Sequence, residues 1–224
     1  MKLKTFFAAV NLLAVAALPL GAAEMTRLTS TPGANKIRIE GTSTIHDWQM
    51  ESSFIGGYAE VGPGFPLKPG AEVKPGPIEA KVNVIIPVQQ IKSIEKDGKP
   101  YKASMDDRMY EAVKASENQK FTYTLTSLTL KEAPKAAGPY TFESTGELCV
   151  AGVTNKITMP VMVTVLEENK VKFAGSVTVK MTDFKIQPIN ISILGIGLIK
   201  TGDEVKLFFE WVATKKTAPA AAPK

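Results

Sequence analysis

The chain has 224 residues, a formal net charge of +5 and a single cysteine. That length suits one ordinary domain with a sizeable core, and the lone Cys149 excludes an internal disulfide, so packing has to hold the fold. The charge sits at the ends, on Lys2, Lys4, Lys215, Lys216 and Lys224; the neutral interior lacks the basic stripe of a nucleic-acid binder, and no such partner is expected.

Lys2 and Lys4 lead into an apolar run, Thr5 to Leu20, interrupted only by Asn11 and closed by the small residues Gly21, Ala22 and Ala23. This predicts a cleaved secretory signal peptide over residues 1–23 and a periplasmic or secreted protein. The run is shorter than the roughly 20 residues a bilayer-spanning helix needs. Residues 24–213 are then the domain.

Strand periodicity dominates from there. A strand is expected near Lys36 to Trp48 and another near Ser52 to Val61. Gly62 to Pro77 carries five prolines and four glycines and predicts a long loop that cannot donate a regular ladder. Ile78, Ala80, Val82, Val84, Ile86 and Val88 recur at every second position, the period of a half-buried strand. Ser104 to Ala115 predicts a helix, with Ser104 and Asp107 at capping-box spacing and Met105 and Met109 on one face. It would cap one end of the fold. Phe121, Tyr123 and Leu125 alternate with threonines; Tyr140, Phe142, Leu148 and Val150 share a parity, with Ser144 and Gly146 between them. On that parity Cys149 faces outward, an inert strand cysteine.

Further on, Ile157 to Val165 and Val171 to Met181 flank a turn at Leu166–Lys170. Gln187 to Lys200 is unusually apolar: Ile193, Leu194 and Ile196 read either as a buried strand or short helix, or as an apolar lip beside a pocket. Gly195-Ile196-Gly197 matches a phosphate loop only weakly, because the strand-turn-helix setting is missing. Thr201-Gly202-Asp203 predicts a turn before the closing strand Val205, Leu207, Phe209 and Trp211. Residues 214–224, only Ala, Pro, Lys and Thr, predict a disordered tail. About eight strands joined by short turns point to an all-β fold, an eight-stranded antiparallel up-and-down barrel with one short helix near a barrel end. A β-sandwich is the runner-up.

Gly41-Thr42-Ser43-Thr44-Ile45-His46-Asp47-Trp48 contains the only histidine. A serine nucleophile needs a base in reach and an acid to orient it. In a strand, Ser43 and His46 lie on opposite faces about 10 Å apart, and Asp47 also faces away from His46. The segment therefore builds no triad, and no enzyme is expected. One histidine and one cysteine do not suffice for zinc, and Asp106 and Asp107, adjacent on a helix, point apart. Neither a metal nor a cofactor is expected.

Several pieces together resemble the YceI-like family of exported proteins. Gly41 to Trp48 is similar to the opening strand of its short, signal-bearing branch. Val84 to Ser93, with Pro87-Val88, is similar to its third strand and the turn beyond it. Met105 to Tyr123 resembles its helix leading into an aromatic strand. Leu148 to Val165 contains Gly152-Val153-Thr154-Asn155-Lys156, similar to the family's Gly-Val-Thr-Lys turn. Gly175 to Phe184 ends in the family's Ser/Thr-Asp-Phe form, and Gly202-Asp203-Glu204-Val205 opens its last strand. The order of these pieces spans most of Lys36 to Ala213.

The resemblance implies a lipocalin-like barrel that holds an amphiphilic lipid, an isoprenoid such as a quinone or polyprenyl chain, in an apolar cavity. On strand parity, Val82, Val84, Phe121, Tyr123, Val163, Phe173, Val177, Leu207 and Phe209 would line it. Ile193, Leu194 and Ile196 would form its lip, and His46 or Trp48 would meet the head group. The typical family opening differs from Gly41–Trp48, so no head-group contact carries over there. Gly62–Pro77 and Gln187–Lys200 look particular to this chain. Such a carrier would touch a membrane transiently, and a dimer is compatible with it. The alternative is an envelope interaction module, structural or stress-related, with a filled core and no ligand.

Overall fold

The computed structural model describes residues 24–134, 138–193 and 197–215. The expected signal peptide, and the expected tail beyond Lys215, lie outside these residues. Thirteen strand segments build the fold: β1 (Thr26–Ser30), β2 (Lys36–Ser43), β3 (Trp48–Ser52), β4 (Gly56–Val61), β5 (Gly76–Ile78), β6 (Ala80–Pro87), β7 (Lys92–Ile94), β8 (Lys120–Glu132), β9 (Tyr140–Val150), β10 (Val153–Glu167), β11 (Lys170–Lys180), β12 (Asn190–Ile193) and β13 (Gly197–Lys215), with one helix, α1 (Ala103–Ala112), between β7 and β8.

These segments form eight staves. The first three are broken: β1 with β2, β3 with β4, and β5 and β6 with β7; β12 is a hairpin on β13 outside the circuit. Along β13, Ser30 pairs with Ala213 and Lys36 with Glu210, so β1 and β2 are successive parts of one stave. Pairing then runs antiparallel from stave to stave, β4 to β6 to β8 to β9 to β10 to β11 to β13, and β13 returns to β1 and closes the barrel. Closure pairs every stave on both sides over at least part of its length, which limits exposed edge.

Two expectations at the ends are corrected. β1 is a strand although Thr26–Ser30 has no strong alternation. Thr214 and Lys215, expected in the tail, are strand: Thr214 pairs with Thr29 and Lys170, and Lys215 with Leu28. Neighbouring strands supply the ladder that their composition does not demand.

The break between β1 and β2 is held by Asn35, only 7% exposed. Its Nδ2 donates to Ser30 Oγ at 3.1 Å, Thr31 O at 2.9 Å and Ile55 O at 3.3 Å, while Oδ1 accepts from the Val212 N–H at 2.9 Å. One amide thus satisfies backbone groups where three staves lose their ladder.

The proline-rich segment is irregular as far as Pro75, whereas Gly76 and Pro77, expected in the loop, pair with Leu130 and Thr129 of β8 as part of β5; the irregular part folds back into the barrel. Phe65 is 3% exposed and stacks on Phe142 at 5.5 Å and Phe173 at 6.0 Å; Phe173 in turn stacks on Trp211 at 5.1 Å. Tyr140 Oη donates to Ala71 O at 2.7 Å, and the Asn169 N–H donates to Leu67 O at 2.8 Å. The loop is a plug that closes one end.

Helix α1 closes the other end, but not through the expected capping box. Ser104 lies inside the helix; the N-cap is Lys102, with no side-chain cap. Instead Asp106, almost fully buried, accepts the Ser93 N–H at 2.6 Å, and Ser93 Oγ donates to Lys102 O at 3.1 Å. Tyr110 Oη donates to Ile91 O at 2.9 Å. Docking onto β7 replaces local capping, because the docked carboxylate satisfies a buried donor that a solvated Asp107 would not reach.

The Thr201-Gly202-Asp203 turn is also corrected. These residues are an irregularity inside β13, where the strand leaves its hairpin with β12 and joins the barrel. Between β10 and β11 the ladder runs only over Val161 to Glu167. Pro160, which has no N–H to donate, sits where it stops. Beyond it the two strands part around Thr182–Phe184, and Asn155 Nδ2 donates to Asp183 O at 2.8 Å across the gap.

Candidate functional site

Inward-facing side chains of the staves enclose a lumen of two apolar chambers. The inner one, about 110 Å³, lies beside the Phe173–Trp211 stack; the outer one, about 170 Å³, lies under α1. Ile37, Ile86, Leu148 and Leu207 line both chambers and form the waist between them. Each chamber is of the order of the roughly 150 Å³ apolar cavity that stays dry and takes a benzene ring. A flexible hydrocarbon chain is the shape that fits two such chambers in series.

Most of the parity-derived residues meet here. Val82, Val84, Tyr123, Val163, Phe173, Val177 and Phe209 line the inner chamber, and Leu207 lines both. Trp48 and Phe121 line the outer one, as do Ile189 and Ile191 ahead of the expected lip. Ile193 closes β12, paired with Gly197 in a hairpin rather than a helix. Leu194 and Ile196 lie outside the described residues. Sequence reading missed Met50, Arg108, Phe184 and Ile186 of the outer chamber. Of these, Phe184 carries a sequence signal, because it ends the Thr182-Asp183-Phe184 form that resembles the family's.

His46 takes a different place from the one expected. β2 stops at Ser43 and β3 starts at Trp48, so His46 belongs to a hairpin turn, not to a strand face shared with Trp48. Ser43 Oγ creates the turn: it accepts the Ile45 and His46 N–H groups at 3.4 and 3.3 Å and donates to His46 O at 2.6 Å. The imidazole Nδ1 lies 2.8 Å from Asp47 O, and its ring meets Tyr101 edge-on at 6.3 Å. The serine is spent on backbone, and the triad partners do not come together. His46 is exposed in a surface depression with Lys96 and Asp97; Trp48 and Met105 stand between that depression and the outer chamber.

Aromatic rings shape the lumen by lying on glycines of neighbouring strands. A Cβ on Gly146 would stand 2.5 Å from the Tyr123 ring, and one on Gly175 would stand 2.9 Å from the Phe209 ring. Trp48 covers Gly41 in the same way, and its indole N–H donates to Thr42 O at 3.2 Å. Each glycine makes room for a ring that would otherwise fill the cavity.

Polar groups are few in the inner chamber. Tyr123 Oη and Ser144 Oγ are 2.8 Å apart. Burial pushes the Tyr123 hydroxyl above the ordinary phenol value, against a smaller opposite pull from Ser144. Among the described residues no cluster of three or more His, Cys, Asp or Glu side chains is placed to hold a metal ion. Cys149 lies half-buried on the outward parity of β9.

The family model of the YceI-like domain matches residues 67–213, more than half of the chain. The chain belongs to the YceI-like family. The matched part holds the inner chamber's β6 to β13 walls and leaves out the Gly41–Trp48 hairpin. The YceI-like barrel is similar in fold to a polyisoprenoid-binding domain from Saccharophagus degradans implicated in plant cell wall breakdown. The TM-score is 0.58 at 10% identity, over 86% of this chain and 100% of that one. It is similar also to BcnA of Burkholderia cenocepacia, with TM-score 0.57 at 16% identity over 83% and 99%. No curated protein matches the chain.

Proposed function

We propose that this YceI-like protein is an exported carrier that holds an amphiphilic isoprenoid, a quinone or a polyprenyl chain, inside its barrel. The observation that carries the reading is the pair of apolar chambers inside the barrel, adjacent across Ile37, Ile86, Leu148 and Leu207. Burial of chain there contributes about 0.8 kcal/mol per CH₂ before ordering costs. Membership of a family with a polyisoprenoid-binding structural neighbour supports it, and the apolar leader with its small-residue end supports export.

The test is native mass spectrometry of protein purified from its own envelope without detergent, with thermal unfolding in added geranylgeraniol. A co-purifying lipid, or stabilisation of about 2.7 kcal/mol at a hundredfold excess over Kd, is the expected result. A bare-chain mass together with an unmoved melting temperature would falsify the carrier.

A further inference from the structure

The two most exposed large apolar side chains among the described residues stand on joined hairpins at the helix end of the barrel. Ile45, in the Ser43 turn, and Leu198, on the β12–β13 hairpin, are each 51% exposed. The Thr44 N–H donates to Lys200 O at 3.0 Å, and the Lys200 N–H donates to Thr44 Oγ1 at 3.1 Å, which ties one hairpin to the other. Ile191 pairs with Ile199 and lines the outer chamber. Ser192 and Leu198, one residue along, point the other way, to water. Turn residues in water are ordinarily polar, and neighbouring apolar side chains left uncovered mark a contact surface. The charge of the same segment says which contact. From Phe184 to Gly202 the chain has Lys185 and Lys200 and no Asp or Glu. Both lysines are exposed, and neither forms an ion pair among the described residues. The Ser43 turn adds one acid, Asp47. Exposed apolar side chains flanked by lysines, with little acid, are the composition of a segment that rests in a lipid interface.

We infer that Ile45 and Leu198, with Lys185 and Lys200 beside them, form a docking face for an anionic lipid bilayer. The apolar side chains enter the interface. The lysines stay at head-group level, where attraction to acidic lipids adds to apolar burial. Because the same hairpin lines the outer chamber through Ile191, docking sets the helix end of that chamber against the membrane. The docking stands on surface residues alone; its use in loading the barrel rests on the carrier reading. The other exposed large apolar side chains lie elsewhere. Phe54 is in the bend before β4, and Met162 and Leu166 are on the part of β10 that runs to the plugged end.

The test is co-sedimentation of the full-length mature protein with vesicles of phosphatidylglycerol and phosphatidylcholine in equal parts. The parent is expected to bind them, and Ile45→Ser/Leu198→Ser to bind at least about ten-fold more weakly, because the burial of both side chains is lost. Lys185→Gln/Lys200→Gln should lose about five-fold for each lysine. Phe54→Ser/Leu166→Ser removes exposed apolar surface from other parts of the barrel and should bind like the parent. No binding by the parent overturns the docking face. So does parent-like binding by the Ile45/Leu198 variant, or an equal loss in the Phe54/Leu166 variant. Unchanged binding by the lysine variant overturns the choice of an anionic surface. Neither Ile45 nor Leu198 lines a chamber, so without vesicles geranylgeraniol should stabilise their variant as it does the parent. If it stabilises neither, the carrier reading falls and the vesicle result still decides the docking face.

Discussion

Asn35 shows how much one side chain carries in this fold. It bridges β1, the bend before β4 and the last strand through four hydrogen bonds. Asn35→Ala leaves the Val212 N–H buried without an acceptor, so a loss of about 2–3 kcal/mol is expected. Urea unfolding at constant m-value checks it. Tyr123 makes a second, pH-dependent contribution. Its folded-state pKa is raised by burial, so at alkaline pH the unfolded chain releases the proton first. The stability it supports is complete below about pH 10 and is lost as pH rises through the raised folded value. Tyr123→Phe should therefore flatten the fall in stability above pH 10. Matching slopes for parent and variant between pH 9 and 11 would contradict the assignment.

Among elements, the Gly62–Pro77 run has the clearest separable job. Its first four prolines lie outside the sheet, Pro77 entering it only in β5, and its Phe65 supplies the ring that closes the barrel floor against Phe142 and Phe173. Phe65→Ala is expected to cost about 3 kcal/mol, visible as a lower Tm, and to extend the lumen toward the plugged end. A longer-chain ligand should then gain affinity relative to a shorter one. If the chain-length preference stays put while Tm falls, the plug is only structural. The helix at the opposite end is tied by Asp106 and Tyr110 to β7 and its approach, which keeps Met105 and Met109 over the outer chamber.

Across the whole molecule, the lumen depends on the waist shared by the two chambers. Leu148→Trp would fill it. Overpacking of this kind costs about 1–3 kcal/mol, leaves the barrel circuit intact and divides the lumen. A C20 prenyl chain should lose most of its binding, whereas a short alkane that fits one chamber should keep its own. Isothermal calorimetry with both probes separates these outcomes, and equal losses for the two would show that the chambers do not act in series.

Much of this was legible from residues alone, because strand parity is a local property. A side chain two positions from a buried one returns to the same face, so Val82, Val84, Tyr123, Val177 and Leu207 could be assigned inward before any partner was known. The stave count followed from the same alternation and from turn residues between the runs. Tertiary structure decided what parity cannot reach. β1 and the last two residues of β13 are strands because their neighbours offer a ladder. The Ser43 hydroxyl turned the expected strand at His46 into a hairpin and moved the histidine to the surface. Which inward side chains border open space rather than solid core depends on distant contacts: the Phe65 plug, the helix over the far end, and rings resting on Gly41, Gly146 and Gly175. Those contacts join residues far apart in the chain. A period of two records which face a residue points to, but not what waits on the other side of the barrel.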